Sequence, residues 1–291
     1  TPWPSRIRWQ NSPASSAASG SAWSNTGRGS WTTASNWKEN AVAGTASVAT
    51  NNVGGTVVVG AGDAITSRGL YLGVNAGTTG AFEMSGGTLT LTDMVGLRLG
   101  DATTGRGTAV MTGGALEVLQ AQIGCDGPGE FTVSGGTVTI KDWSAIGRYA
   151  NGKGKMTITG GAEVTCIRNG SANTCLFVAE EGEGELVIED GGKLTFTTDN
   201  QCGFVSPNNG KGRGTTWLKT GGTIATRELH IQAAGTRFIL DGGTIVANAG
   251  TGTFIGNKGS FEITDNGGAI DIGAVDRTVW IGFDAYAGST G

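Results

Sequence analysis

A pair of adjacent glycines recurs along most of this chain, and subtracting neighbouring positions gives spacings of 21 to 31 residues. Self-similarity at a period of about 20 to 50 residues is typical of stacked repeat architectures. The repeat therefore predicts one elongated fold. The eight pairs from Gly86 onward, to which these spacings refer, begin at Gly86, Gly113, Gly135, Gly160, Gly191, Gly221, Gly242 and Gly267.

Three short apolar stretches surround each glycine pair. Phe131-Thr132-Val133 precedes the pair at Gly135, and Val138-Thr139-Ile140 follows it. The third stretch ends in glycine, as in Leu97-Arg98-Leu99-Gly100. Apolar residues that alternate with polar ones indicate strands with one buried face. Three such strands and three turns use about 22 to 28 residues, which is enough for one coil of a parallel β-helix and short of the roughly 40 residues of a propeller blade.

The spacing thus predicts an all-β fold, a right-handed parallel β-helix of about nine three-strand coils over residues 56–291. Residues 1–55 are predicted to form an N-terminal segment and cap, because a stacked coil exposes an unpaired strand edge. Trp23, Trp31 and Trp37 are the side chains expected to close over the first coil. The sequence stops in an inter-coil turn, so we expect that more chain follows or that another molecule covers that edge.

Charge and composition exclude several function classes. The formal net charge is -4, which gives no basic surface for nucleic acid. No apolar run approaches the roughly 20 residues that span a bilayer. The four cysteines form no C-x-x-C pair, and His230 is the single histidine, so the sequence predicts neither a metal site nor a cofactor.

The segment Gly129–Ile140, with the sequence GEFTVSGGTVTI, resembles the autotransporter-associated repeats of bacterial surface proteins. It is also similar to secreted bacterial β-helical proteins that carry a C-terminal sorting signal. The stretch Trp31–Trp37, WTTASNW, is similar to the opening of such helices. The resemblance covers roughly residues 31–291. It implies export and an extracellular or cell-surface location, and it specifies architecture far more than activity.

The third strand of each coil carries the main candidate binding site. If its apolar residues point inward, the residue between them points outward, and successive coils form an outward column. The predicted members of this column are Tyr71, Arg98, Gln122, Ala145, Phe177, Phe204, His230, Phe254 and Trp280. The last five members of that column are aromatic or imidazole side chains, and a row of them about 19 Å long would suit stacking on a polysaccharide. A stack that only packs, or that a loop covers, is the alternative. The predicted carbohydrate-binding residues are Phe177, Phe204, His230, Phe254 and Trp280.

Other polar features point less directly to chemistry. The acidic run from Glu180 to Asp190 could bind Ca²⁺ or supply an acid/base pair, although a charged turn is the simpler interpretation. His230 could be a base or a member of the outward stack. Alternating threonines suggest ice binding, but Ala115, Lys193 and Ala269 interrupt the array.

Cys166 and Cys175 bracket an insertion, and a disulfide between them is the favoured pairing. Cys175 and Cys202 both precede a third strand, one coil apart, at a separation that is also compatible with bridging. The sequence leaves the choice open. Either bridge would be a structural staple and would suit an oxidising compartment.

These observations predict an extracellular, non-catalytic surface, adhesion or scaffold module, with polysaccharide binding along the aromatic column as its most concrete form. A polysaccharide lyase or glycoside hydrolase on a β-helix is the first alternative. Its nearest charged candidates are scattered in sequence. A subunit that self-assembles by end-to-end stacking, with a second copy as partner, is the other alternative. The charged candidates for an enzyme are Arg98, Glu117, Lys141 and Asp142.

Overall fold

The fold is known from a computed structural model, which describes residues 21–167, 176–197, 204–205, 212–231, 235–249, 252–257, 259–273 and 277–279. Two short 3₁₀ helices, Ala34–Asn36 and Lys38–Asn40, are the helices of this described part, and neither is long enough to cross a bilayer.

The first ten strands, in chain order, are β1 (Ser21–Ala22), β2 (Arg28–Ser30), β3 (Val48–Asn51), β4 (Thr56–Val59), β5 (Ala64–Ser67), β6 (Gly69–Leu72), β7 (Thr79–Leu99), β8 (Arg106–Ile123), β9 (Pro128–Ile140) and β10 (Ser144–Ile146). The next eight are β11 (Lys153–Ile158), β12 (Glu163–Cys166), β13 (Leu176–Val178), β14 (Glu183–Ile188), β15 (Lys193–Phe196), β16 (Phe204–Val205), β17 (Arg213–Lys219) and β18 (Thr223–Thr226). The last seven are β19 (Leu229–Ile231), β20 (Thr236–Asp241), β21 (Thr244–Ala247), β22 (Gly252–Asn257), β23 (Ser260–Ile263), β24 (Ala269–Asp271) and β25 (Arg277–Val279).

The ladders between these strands are parallel, and each strand pairs with the equivalent strand of the next coil. One ladder runs β2-β4-β7-β8-β9-β11-β14-β17-β20-β23, which we call the first sheet. The second sheet ends β12-β15-β18-β21-β24. The third ends β10-β13-β16-β19-β22-β25. The predicted β-solenoid of about nine coils is therefore confirmed.

The core is a set of inward columns that run the length of the stack. Phe131, Met156 and Leu186 are successive members of one column on the first sheet, and each is at most 2% exposed. Removing a side chain of this size from water stabilises the fold by about 1.5–3 kcal/mol. Because one coil cannot enclose its own apolar residues, this energy is available only when coils stack.

The turn after the third strand requires a left-handed backbone. Gly73, Gly100, Gly124 and Gly147 have φ values of 65° to 75° there, and Ala179 takes the same position in the next coil with φ 67°. A Cβ at Gly147 would also overlap the backbone carbonyl of a residue in the following coil. Glycine is used at this corner because it reaches positive φ without a Cβ.

The N-terminal tryptophans form a packed cluster at the start of the stack. Trp23, Trp31 and Trp37 are each at most 2% exposed, and their rings meet edge to face with centroids 5.0 and 5.4 Å apart. Trp31 Nε1 donates a hydrogen bond to the Ala43 carbonyl oxygen at 2.9 Å. Two strands of the predicted cap segment 1–55, β1 and β2, already pair with β3 and β4, so the parallel ladder begins at Ser21.

The predicted Cys166–Cys175 disulfide finds no support in the structure. Cys166 is a free thiol, and its side chain is 0% exposed in an inward column between Ile140 and Phe196. That position directs the sulfur into the core. Cys175 and Cys202, the partners considered for a bridge, lie outside the described residues.

Candidate functional site

The predicted outward column on the third sheet is correct for its first five members. Tyr71, Arg98, Gln122, Ala145 and Phe177 occupy successive positions in one ladder. The ladder therefore defines an outward column on the third sheet, and the position of each predicted aromatic residue can be compared with it.

The predicted column is wrong at Phe204 and Phe254. Phe204 pairs with Leu176 and Leu229, the inward positions, and Val205 takes the outward place. The ladder pairs His230 with Gly256 instead of Phe254, and Phe254 is 0% exposed within the hydrophobic core.

The backbone of His230 lies in the outward column, between Val205 and Gly256. Trp280 lies outside the described residues. Phe177 is 8% exposed and packs against Trp143, with ring centroids 5.7 Å apart. The structure therefore does not assemble the continuous aromatic stripe that the sequence predicted.

The same face of the stack carries a group of ionisable side chains, most of them charged, which we call the third-sheet charged cluster. Its members either lie in the outward column or directly follow the left-handed corner residue of each coil. The corner turns each of these side chains back against the sheet. The members are Arg98, Asp101, Cys125, Arg148 and Glu180.

Two arginines in this cluster are held by aromatic rings and carboxylates. The Arg98 guanidinium lies 4.9 Å from the Tyr71 ring centroid, and its Nη1 is 3.2 Å from Oδ2 of Asp101. The Arg148 guanidinium lies 4.7 Å from the Trp143 ring and 4.5 Å from the Tyr149 ring. In contacts of this kind the aromatic ring packs against the flat face of the guanidinium, and the N–H groups at its edge remain free to contact other groups.

Glu180 is a carboxyl group of this cluster whose pKa lies near neutral pH. Burial raises its pKa to about 7, although the nearby Arg148 charge acts in the opposite direction. Glu180 Oε2 and the Nε atoms of Arg98 and Arg148 are buried with no hydrogen-bond partner among the described residues. A carboxyl group that is half-protonated near neutral pH can donate or accept a proton.

The four charged residues considered for an enzyme are not brought into one site. Lys141 Nζ lies 2.6 Å from Glu117 Oε1, and both belong to the second-sheet side of the coil. Asp142 accepts hydrogen bonds from the Gln120 side chain and from a backbone N–H. Arg98 instead pairs with Asp101.

The acidic run that was considered for calcium is divided among inter-coil ion pairs. In the part of the chain that the structure describes, no group of three or more His, Cys, Asp and Glu side chains is close enough to hold a metal ion. Each pair joins a glutamate to a cation of an adjacent coil. The pairs are Glu180–Arg148, Glu183–Lys153, Glu185–Lys155 and Glu189–Lys219.

The first sheet carries a surface that the sequence analysis missed. Two open depressions, of about 440 and 680 Å³, lie on its outer face and share Trp217 and Arg237. We call them together the Trp217 trough. The smaller depression ends at Thr264, Asp265 and Asn266. The larger one reaches Arg106 across several coils.

The ladder register explains why Trp217 is on the outer face. It continues a column of outward residues that includes Thr132, Thr157 and Val187, and Ile239 follows it. Alignment of the units on their glycine pairs would misplace Trp217, because it lies four residues before Gly221, as the inward Phe131 lies before Gly135. The glycine that opens each strand is the usable signal, since Trp217 follows Gly214 by three residues, as Thr132 follows Gly129.

Comparison of the chain with protein-family models, with curated proteins and with solved structures gave no match. The fold assignment therefore rests on the ladders described above. The resemblance to autotransporter-associated repeats remains a prediction from the quoted segments.

Proposed function

We propose that this chain is an extracellular, non-catalytic β-helical module that acts as a surface scaffold or adhesin. The observation that carries the proposal is that the charged side chains on the outer surface pair with one another between coils. In the described residues, most of the ion pairs join one coil to another, as in Lys155–Glu185 and Lys193–Glu163. The extracellular setting rests on the resemblance of the repeat.

Ion pairs of this kind suit a rod more than a reaction centre. Each exposed pair contributes about 0–1 kcal/mol, so no single pair governs stability. Distributed along the axis, they resist sliding and separation of coils that contact only their neighbours. About nine coils at roughly 4.8 Å each give a stack about 40 Å long, which presents an extended surface in a fixed register.

The alternative function is that of a polysaccharide lyase or glycoside hydrolase, and one observation favours it. Glu180 has a pKa of about 7 and lies beside Arg148 on a face that also holds Arg98 and Asp101. A carboxyl group with a perturbed pKa next to a guanidinium is the kind of arrangement that acid/base catalysis uses. The Glu180→Gln variant separates this alternative from the proposal.

The experiment measures attachment and turnover together. Beads that carry the purified chain are passed over surfaces coated with a panel of polysaccharides, and the eluates are assayed for reducing ends and unsaturated uronates. We expect retention on at least one surface with no released sugar.

Release of sugar that disappears in Glu180→Gln would contradict the proposal and establish the enzyme. Retention that depends on protein concentration in solution, accompanied by polymers in light scattering, would instead favour self-assembly. A lack of retention on any surface would remove the adhesive form of the proposal.

A further inference from the structure

The Trp217 trough combines an aromatic face with Arg213, an arginine that forms no ion pair among the described residues. Trp217 is half-buried, and its outward neighbours in the column, Val187 and Ile239, are 5% and 1% exposed. Outward side chains of a sheet are exposed to solvent unless another side chain covers them. The Trp217 indole lies between Val187 and Ile239 in the column and is large enough to cover part of both. Val187, Trp217 and Ile239 thus form an apolar stretch of one outward column on the first sheet.

The charges of the trough are mostly neutralised in pairs. Arg106 contacts Glu130 at 2.8 Å, and Arg237 contacts Glu262 at 2.7 Å. Lys153 and Lys155 pair with Glu183 and Glu185.

Arg213 is different. It lines the larger depression, yet among the described residues it forms no ion pair. Its register neighbour Glu183 is already paired with Lys153. The larger depression has five cationic side chains and three carboxylates. They are Arg106, Lys153, Lys155, Arg213 and Arg237, and Glu130, Glu183 and Glu185. Glu262 and Asp265 of the smaller depression balance the charge of the trough as a whole, so Arg213 supplies a local positive charge.

We propose that the Trp217 trough binds an acidic polysaccharide, with one sugar ring stacked on the Trp217 indole and a uronate carboxylate bound by Arg213. This inference rests on the proposed function and names its ligand class and its site. The indole offers a rigid face for the apolar side of a sugar ring. The guanidinium offers two parallel donors to a carboxylate.

The spacing of the two side chains suits a chain ligand. Trp217 and Arg213 are four residues apart on β17, which is about 13 Å along the strand. Both face outward, since their positions have the same parity. A single monosaccharide cannot reach both side chains, whereas neighbouring residues of one polymer can. At the other end, Asp265 and Asn266 provide polar groups for sugar hydroxyls.

The test uses polygalacturonate and its fully methyl-esterified form, two polymers with the same backbone and different charge. Affinity is measured by calorimetry and by electrophoresis in gels that contain the polymer. We expect the chain to bind polygalacturonate, and to bind it more weakly as salt is added. Trp217→Ala should weaken binding of both polymers about tenfold, which corresponds to about 1.4 kcal/mol.

Arg213 provides the sharper comparison. Arg213→Ala should weaken binding of polygalacturonate about tenfold and leave the methyl ester unaffected, since the ester carries no carboxylate for the guanidinium. Two variants on the same sheet serve as controls and should bind as the unmodified chain does. Arg28→Ala removes an exposed arginine outside the trough, and Val110→Ala changes a residue in the Trp217 column four coils away.

Thermal unfolding of each variant shows whether the fold is intact. Equal binding of the ester and the acid, or full binding by Trp217→Ala and Arg213→Ala, would overturn the inference while leaving a non-catalytic module in place. Release of unsaturated uronates would overturn the proposed function, and the Trp217→Ala comparison would still decide whether the trough is the binding site. Absence of binding to polygalacturonate overturns the inference.

Discussion

Arg148 Nε lies 3.7 Å from Glu180 Oε2 on the adjacent coil, and both atoms are buried without a hydrogen-bond partner among the described residues. The separation is too long for a hydrogen bond, so the two groups interact through charge alone. Burial therefore dominates and raises the pKa of Glu180 to about 7. The ionised carboxylate is less stable in the folded chain than in the unfolded one.

This raised pKa predicts that stability falls as pH rises from about 4.5 to about 7. In that range the folded chain keeps the Glu180 proton that the unfolded chain has released, so unfolding becomes more favourable. The free energy of unfolding is therefore highest below the pKa that Glu180 has in the unfolded chain, and the loss is complete above pH 7. Its size is roughly 3 kcal/mol. Chemical denaturation at a series of pH values measures it.

The control variants isolate Glu180. Glu180→Gln should flatten the slope between pH 5 and 7, whereas Glu183→Gln, at an exposed carboxylate, should retain it. Asp241 and Glu262 have pKa values lowered mainly by hydrogen bonds from Thr264 and Arg237, so their effects have the opposite sign and occur at more acid pH. An unchanged slope in Glu180→Gln would show that burial of this carboxyl is not its source.

The corner glycines predict a large difference between two otherwise similar substitutions. Gly147 and Gly77 have φ values of 75° and 73°. A Cβ at Gly77 meets nothing within 4 Å, whereas one at Gly147 overlaps backbone atoms of Glu183 and Gly184. Gly77→Ala should cost about 1–2 kcal/mol for the left-handed backbone. Gly147→Ala should cost several kcal/mol more, as measured by denaturant unfolding, because two coils must separate. Equal losses would mean that the coils yield easily at this corner.

The same corners explain how much of the fold the sequence predicted. The early third strands are each followed by a glycine, at Gly73, Gly100, Gly124 and Gly147, and this marker fixes their register. The coil of Phe177 has Ala179 instead, and Gly256, which follows Phe254 and Ile255 in the sequence, pairs with His230 and so does not mark the corner. Phe204 was then predicted to lie outward because it is aromatic like Phe177, although the ladder pairs it with Leu176.

The candidate sites were harder to predict for a related reason. Apart from Arg98, the third-sheet charged cluster is made of residues that follow the corners of different coils, 23 to 32 positions apart, and their approach depends on the direction of each corner. Glu180 and Arg148 have no shared motif. Trp217 can be placed outward only from the glycine that opens its strand, and its value as a platform depends on the charges of neighbouring coils, which only the ladder brings together.

The tryptophan cap allows the worth of one buried hydrogen bond to be measured. Trp31 Nε1 donates to the Ala43 carbonyl oxygen, whereas Trp23 Nε1 is buried with no partner among the described residues. Trp31→Phe leaves that carbonyl oxygen without its donor and should cost about 1–3 kcal/mol more than Trp23→Phe. Both substitutions make similar changes in ring volume, so thermal unfolding of the pair cancels the packing loss. Equal destabilisation would contradict the assigned hydrogen bond.

The buried cysteines predict resistance to thiol reagents. Cys125 and Cys166 are 1% and 0% exposed, and burial raises the pKa of both thiols, that of Cys166 to about 12. Because the thiolate is the reactive species, neither residue should be alkylated by N-ethylmaleimide at pH 7.5 in the folded chain, and both should react in denaturant. Peptide mapping by mass spectrometry identifies the labelled positions. The same map made without reduction tests the bridge, since a peptide that joins Cys166 to Cys175 would show that the inward thiol can leave the core and that the disulfide forms after all.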